Sequence, residues 1–241
     1  MAEVYLLSQG NTYFPPAELA SDEGLLAVGG DLSVERLINA YACGIFPWYS
    51  ENEPLMWWSP NPRMVLFPGD FKPSKSLRRL VDSGQFEVRF DTAFEQVIQA
   101  CGKATRKDQD GTWLTKELTE AFISLHKLGL AHSVETYQEN TLVGGLYGLS
   151  LGRVFFGESM FYLRANASKA AFYHLVKYLQ LHQFDLIDAQ QDTNHLRSLG
   201  GVTIDRADFL QRLNESVTRE TLIGKWMSPF QKEAVILHKI V

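Results

Sequence analysis

Hydrophobic positions along this chain change period several times, and each change predicts an element. Val34, Leu37, Ile38 and Tyr41 recur at helical spacing behind a Ser33 cap, and Gly44 suits the position just past the helix end. The Gly-, Pro- and Trp-rich stretches GIFPWY and LMWWSPNPR follow. A helix over Lys75 to Asp82 turns Leu77, Leu80 and Val81 inward, and Phe86, Val88 and Phe90 alternate as a strand. Thr92 and Glu95 have capping-box spacing before an apolar stripe of Phe94, Val97, Ile98 and Cys101. Residues 102–112 have almost no apolar content and read as a surface loop. A helix from Thr115 to Leu128 buries Leu118, Phe122 and Leu125. The period then shortens to two: AHSVETY, TLVGGLYGLS and RVFFGESMFY predict three strands joined by tight turns, an antiparallel meander. A helix over Ser168 to His182 presents Phe172, Leu175, Val176 and Leu179 on one face. The strand DLIDAQ, a short helix at Asn194 to Ser198, a strand VTI and a helix capped by Asp205 complete the pattern.

This order divides the chain into a small N-terminal domain, 1–62, and a larger one, 63–241. Meander, helix, strand, helix, strand is the order of an N-acetyltransferase-like (GNAT-like) core, an α+β arrangement around a mixed sheet. Acetyl-CoA users of that fold place glycines before the helix that follows the meander, where bare amides cradle pyrophosphate. Here the turn reads RANASK, without glycine from Leu163 through Lys169, which points to an acyl donor other than a CoA thioester.

Two places break the hydrophobic pattern with polar groups. Alternation over the strand from Gly152 puts Val154, Phe156, Glu158 and Met160 on one face, so one acid sits among apolar neighbours and needs a partner or a cationic ligand. In LIDAQ, Asp188 and Gln190 are two apart and share a face; the Gln amide can donate to the carboxylate, leaving its other oxygen for an incoming amine. The alternative is a polar pair satisfying local backbone at a strand end. His132 and His195 read as structural histidines. Trp48, Trp57 and Trp58 read first as the core of the small domain, with stacking on a nucleobase as the alternative.

A net charge of -5 and a pI near 5.7 argue against a protein whose whole surface binds nucleic acid, while leaving room for a local basic patch. Cys43 and Cys101 have no partners at metal-ligand spacing and read as packing residues. The start, MAEVYLLSQGN, lacks a basic leader and no apolar run is long enough to span a bilayer, so a cytoplasmic location with no membrane partner is expected.

The stretches GLLAVGGDLS, GIFPW, WWSPNPR, GTWLT, AHSVE, LVGGLYG, FFGESMF, NASKAA, LIDAQ and HLRSLGG, in this order and spacing, resemble the bacterial leucyl/phenylalanyl-tRNA-protein transferases from Gly24 to about Gly201. The resemblance implies transfer of Leu or Phe from leucyl-tRNA or phenylalanyl-tRNA to proteins beginning with Arg or Lys, marking them for degradation, without metal, CoA or other cofactor. It implies that Gln190 holds Asp188, which positions or deprotonates the attacking α-amine, and that Glu158 is a polar orienter in the active site. Trp48 and Trp113 would stack near the tRNA 3' adenosine. Leu146, Phe155, Leu175, Leu179 and Ile187 would form the pocket for the transferred side chain. Lys72, Lys75, Arg78, Arg79, Lys103, Arg106 and Lys107 are the candidates for the tRNA backbone. Leu146 stands where related sequences are expected to carry Met, and the tail after Trp226 has no match. A CoA-dependent acetyltransferase and a non-catalytic tRNA-binding module are the competing readings.

Overall fold

Two sheets organise the chain, and the site lies where the strands of the larger one part. A computed structural model describes residues 4–104 and 114–227. Strands β1 (Tyr5–Leu7), β2 (Leu25–Gly29), β3 (Phe46–Pro47) and β4 (Met56–Trp58) form a four-stranded sheet in the order β1-β2-β4-β3. Helix α1 (Val34–Ala42) is capped by Ser33, whose side chain accepts from the Arg36 amide. Its Leu37, Ala40 and Tyr41 are fully buried.

The second sheet has seven strands: β5 (Arg63–Leu66), β6 (Glu87–Phe90), β7 (Ala131–Gln138), β8 (Thr141–Leu151), β9 (Val154–Tyr162), β10 (Leu186–Gln190) and β11 (Val202–Ile204). Their order is β11-β5-β10-β9-β8-β7-β6. Strands β7 to β9 form the expected antiparallel meander, and β10 returns parallel to β9 after the long helix α5 (Ala167–Leu181). This mixed sheet, with α2 (Lys75–Asp82), α3 (Phe94–Lys103), α4 (Lys116–Lys127), α6 (Asn194–Ser198) and α7 (Arg206–Val217) around it, is the α+β architecture read from the sequence. The glycine-free turn before α5 is closed by Asn166 in the left-handed region (φ 68°), a conformation Asn tolerates better than most side chains.

Each face of the large sheet has its own apolar core. One, with Phe94, Phe122, Tyr147 and Phe156, is continuous with Leu26 and Trp57 of the small sheet and Leu37 and Tyr41 of α1; the other gathers Phe90, Leu146, Phe155, Phe172, Leu175, Ile187 and Trp226. The small sheet ends at Trp58 and the large one starts at Arg63, so apolar packing runs across the expected boundary at 62/63.

Four local expectations are corrected. Val154, Phe156, Glu158 and Met160 do not share a face: β8 pairs Gly148 with Gly157 and Tyr147 with Ser159, which leaves Glu158 as the extra residue of a bulge. The bulge flips the phase, so Val154, Phe156 and Phe161 lie in the first core while Phe155 and Met160 pack with the second. Thr92 does not cap α3; Ala93 holds that position. Instead, Thr92 gives its hydroxyl to Glu135 (2.7 Å), a fully buried acid that also accepts from the Ser133 hydroxyl and whose carboxyl burial pushes up. Asp205 occupies the cap position of α7 without a side-chain hydrogen bond. Cys101 is buried as expected, but Cys43, just past α1, is exposed.

Candidate active site

Parallel pairing of β9 and β10 runs through Leu186–Val154, Ile187–Phe155 and Asp188–Phe156 and then stops. Beyond that point both strands are irregular. Strand β9 bulges at Glu158, and β10 shifts register against β5 between Asp188 and Gln190, with Gln190 held at φ 61°. Left-handed backbone at a non-glycine residue costs on the order of 1–3 kcal/mol and concentrates at functional sites. A cavity of about 410 Å³ opens in the gap. Leu146, Phe155, Met160, Phe172, Leu175 and Ile187 give it apolar walls; Trp48, Glu158, Ser159, Gln190, Gln191, Thr193 and His195 add polar or aromatic edges.

Asp188 is fully buried beside this cavity. The Arg63 guanidinium grips it with both arms, Nε to Oδ1 at 2.8 Å and Nη2 to Oδ2 at 2.6 Å. Arg63 is itself buried between two rings, its guanidinium carbon 4.8 Å from the Phe46 centroid and 4.5 Å from that of Phe209. The Gln190 amide N–H also donates to Asp188 Oδ1 (3.0 Å) and so holds the strained turn in place. The Gln190 side chain points elsewhere: its Nε2 donates to Glu158 Oε1 at 2.9 Å. The expected Gln-to-Asp side-chain contact is therefore replaced by a chain running Arg63, Asp188, Gln190 backbone, Gln190 side chain, Glu158.

Glu158 is the acid that faces the cavity. Among the described residues it has no ion pair within 4.0 Å, and burial raises its carboxyl to about 8, against opposing effects of the nearby Tyr41 hydroxyl and Gln190 amide. Tyr41 is fully buried on α1, and its hydroxyl is raised well above the usual tyrosine range by burial and then by Glu158. The N-terminal part of the chain thus contributes Tyr41 of α1 and Phe46 of β3 to the surroundings of the site, and Trp48, just past β3, to its rim. Trp48 packs edge-on against Trp58 (5.8 Å, 63°) and accepts from the Trp58 indole through its carbonyl, whereas Trp57 is buried in the core.

The family models and the most similar sequences point to one relationship. The family described as leucyl/phenylalanyl-tRNA protein transferase matches residues 65–214, and its N-terminal domain matches residues 30–61. The leucyl/phenylalanyl-tRNA–protein transferase of Desulfatibacillum aliphaticivorans is 52% identical over 92% of this chain and 95% of its own. That of Dechloromonas aromatica is 55% identical over 83% of this chain and 87% of its own. This chain belongs to the leucyl/phenylalanyl-tRNA protein transferase family. Among solved structures, L-PGS from Bacillus licheniformis aligns at TM-score 0.37 and 12% identity over 67% of this chain and 50% of its own. A GCN5-related N-acetyltransferase from Kribbella flavida aligns at TM-score 0.37 and 13% identity, over 69% and 59%.

Of the residues that the family resemblance selects, Glu158, Gln190, Trp48, Leu146, Phe155, Leu175 and Ile187 meet at the cavity. Asp188 lies behind the first two. Leu179 is buried one turn beyond Leu175, in the second core rather than at the cavity wall, because α5 leads it away from the gap. Lys72, Lys75, Arg78, Arg79 and Lys103 are exposed; Arg106, Lys107 and Trp113 lie outside the described residues. His132 is a buried structural histidine bonded to Asp91, as read, whereas His195 lines the cavity, its pKa lowered by burial and by Lys169. Sequence reasoning missed Arg63, Phe172, Met160 and Tyr41. Arg63 had one available signal: an acid on a buried strand requires a cation, and WWSPNPR supplies one at the start of a run that is otherwise fully buried.

Proposed function

We propose that this protein moves Leu or Phe from aminoacyl-tRNA to the α-amino group of proteins beginning with Arg or Lys, which marks them for degradation under the N-end rule. The observation that carries the reading is a cavity with apolar walls and a single desolvated carboxyl group, Glu158, at the place where two sheet strands part. The Leu or Phe side chain fills the space between Leu146, Phe155, Leu175 and Ile187, and Trp48 meets the terminal adenosine. A smooth apolar pocket separates such side chains weakly, by about 1–3 kcal/mol per methylene, which accords with a donor pair as different as Leu and Phe.

The acceptor nitrogen attacks the ester carbonyl carbon; a C–N bond forms, the ester C–O bond breaks, and the ribose oxygen leaves with the bonding pair and takes up a proton. The amine must shed one proton. Glu158 is the carboxylate in reach of it, and a group titrating near 8 is well matched to an amine at neutral pH. Asp188 acts behind it: clamped by Arg63, it fixes the Gln190 backbone, and the Gln190 amide fixes Glu158. The basic face of α2 (Lys75, Arg78, Arg79), with Lys72 and Lys103, is proposed for the tRNA backbone. Among the described residues no helix is long and apolar enough to cross a membrane, and we place the reaction in the cytoplasm.

The test is transfer of labelled Leu or Phe from charged tRNA to a peptide beginning with Arg, against an identical peptide beginning with Ala. Label on the Arg peptide alone is the expected result. Label on neither, with charged tRNA still bound, would reduce the protein to a tRNA-binding module.

A further inference from the structure

Beyond α7 the chain folds back across the sheet and ends its described course by burying one large ring. Gly152 N–H donates to the Thr221 hydroxyl (2.7 Å), and Gly224 N–H donates to the Gly129 carbonyl (3.0 Å). A side chain at Gly129 would place its Cβ 2.3 Å from the Gly224 nitrogen, so the crossing depends on glycine there. Two residues later Trp226 is 2% exposed. Its ring lies flat on His132 (3.8 Å between centroids, 9° between planes) and is stacked as well with Tyr178 (4.6 Å, 28°). Its backbone N–H donates to Asp91 Oδ2 (2.7 Å), the same oxygen that bonds His132 Nδ1 (2.8 Å).

Two further rings flank Trp226 in this stack, Phe184 edge-on at 5.9 Å and Phe155 at 6.0 Å, and of these Phe155 is the one that reaches the cavity. Phe155 lines the cavity, and it lies over Gly148, where a Cβ would stand 2.6 Å from its Cζ. Trp226, Phe155, Leu146, Leu175 and Ile187 all belong to one packed cluster, and of these five every residue but Trp226 is proposed for the donor pocket. The cavity therefore has a floor whose front is Phe155 and whose backing is a residue from the far end of the described chain.

We infer that Trp226 is a positioning residue that sets the depth of the donor side-chain pocket by holding Phe155 forward, and so tunes the choice between Leu and Phe. The inference rests on the proposed assignment of this cavity to the donor side chain. Close-packed interiors transmit the loss of a large ring to its neighbours, because the space left behind is filled only by their movement. With Trp226 removed, Phe155 has room to withdraw, the pocket deepens, and the bulkier donor gains.

The experiment is competition between leucyl-tRNA and phenylalanyl-tRNA for one Arg peptide, which reads the ratio of kcat/KM values directly. Trp226→Ala should raise the Phe-to-Leu ratio by about tenfold, the size expected for one methylene or more of added pocket length. Trp226→Phe, which keeps an aromatic ring on His132 and guards against a variant that does not fold, should move the ratio in the same direction by less. In a Phe155→Ala background, which changes the ratio by itself, the Trp226 substitutions should add nothing further. A purely structural role would lower both donors equally, and an unchanged ratio in Trp226→Phe and Trp226→Ala would overturn the inference. So would a ratio shift that persists undiminished without Phe155. If Phe155→Ala also left the ratio unmoved, the pocket assignment itself would fall.

Discussion

The two ends of the cavity that we propose for the donor are built from opposite materials. At its mouth, a fully buried carboxylate and guanidinium, Asp188 and Arg63, hold the strained turn at Gln190, and the Gln190 side-chain amide passes that rigidity to Glu158 on the bulged strand. At its floor, three stacked rings, His132, Trp226 and Tyr178, back up Phe155, and the nearest buried carboxylate, Asp91, bonds to the histidine and to the incoming backbone. Directional bonds hold atoms to within a few tenths of an ångström, as a reacting centre needs, whereas packing defines a volume and leaves its contents interchangeable. Chemistry and selectivity can therefore be perturbed separately.

The largest effect is expected at the mouth. Arg63→Met leaves Asp188 buried and uncompensated, and should cost about 3–5 kcal/mol of stability in denaturant melts, with transfer lost. Asp188→Ala should abolish transfer, with a rate loss of about a hundredfold or more, while charged tRNA still binds nearly as well in a filter assay. Equal loss of binding and rate would show the clamp to be general scaffolding. Glu158→Gln should lower the rate comparably and carry a separate signature in stability. The folded protein keeps the Glu158 proton up to about pH 8, whereas an unfolded chain loses it near 4.5, so stability falls as pH rises through that window. The Gln variant lacks that slope and should gain on the wild type in melts at pH 8 to 9, but not near pH 4.

At the floor the effects are smaller and concern choice rather than rate. Leu146→Ala should change the Phe-to-Leu ratio by up to about tenfold with stability reduced by about 2–5 kcal/mol, as for other buried Leu truncations. The smallest effect belongs outside the cavity: replacing Arg78 or Arg79 singly by Ala should weaken tRNA binding alike for both donors and reduce the salt slope by about one.

How much of this was legible in the chain depended on how local the cause was. The meander, α5 and the α1 cap rest on neighbours within a turn or a hairpin, and periodicity found them. Glu158 was visible as a misfit among apolar residues, but not the bulge that displaces it, since a period-two reading cannot count an extra residue. Thr92 looked like a cap because its competitor, Glu135, is 43 positions away; Arg63 was passed over because Asp188 is 125 positions away. Trp226 sits in a stretch with no periodicity, and only its burial reveals it. The family resemblance picked out residues that meet at one cavity, among them Trp48, Leu146, Phe155 and Glu158, but it could not tell which side chain faces that cavity and which stands behind.

That distinction is the centre of the account, and single-turnover transfer measured across pH with saturating Arg peptide tests it most directly. Wild type should climb through a midpoint near pH 8 as Glu158 ionises and level off about one pH unit higher, and Glu158→Gln should be slow and lack that step, keeping only the titration of the peptide amine. A Glu158→Gln profile matching wild type in height and shape would mean that Glu158 does not take the proton, and would return that role to Asp188 or to the substrate.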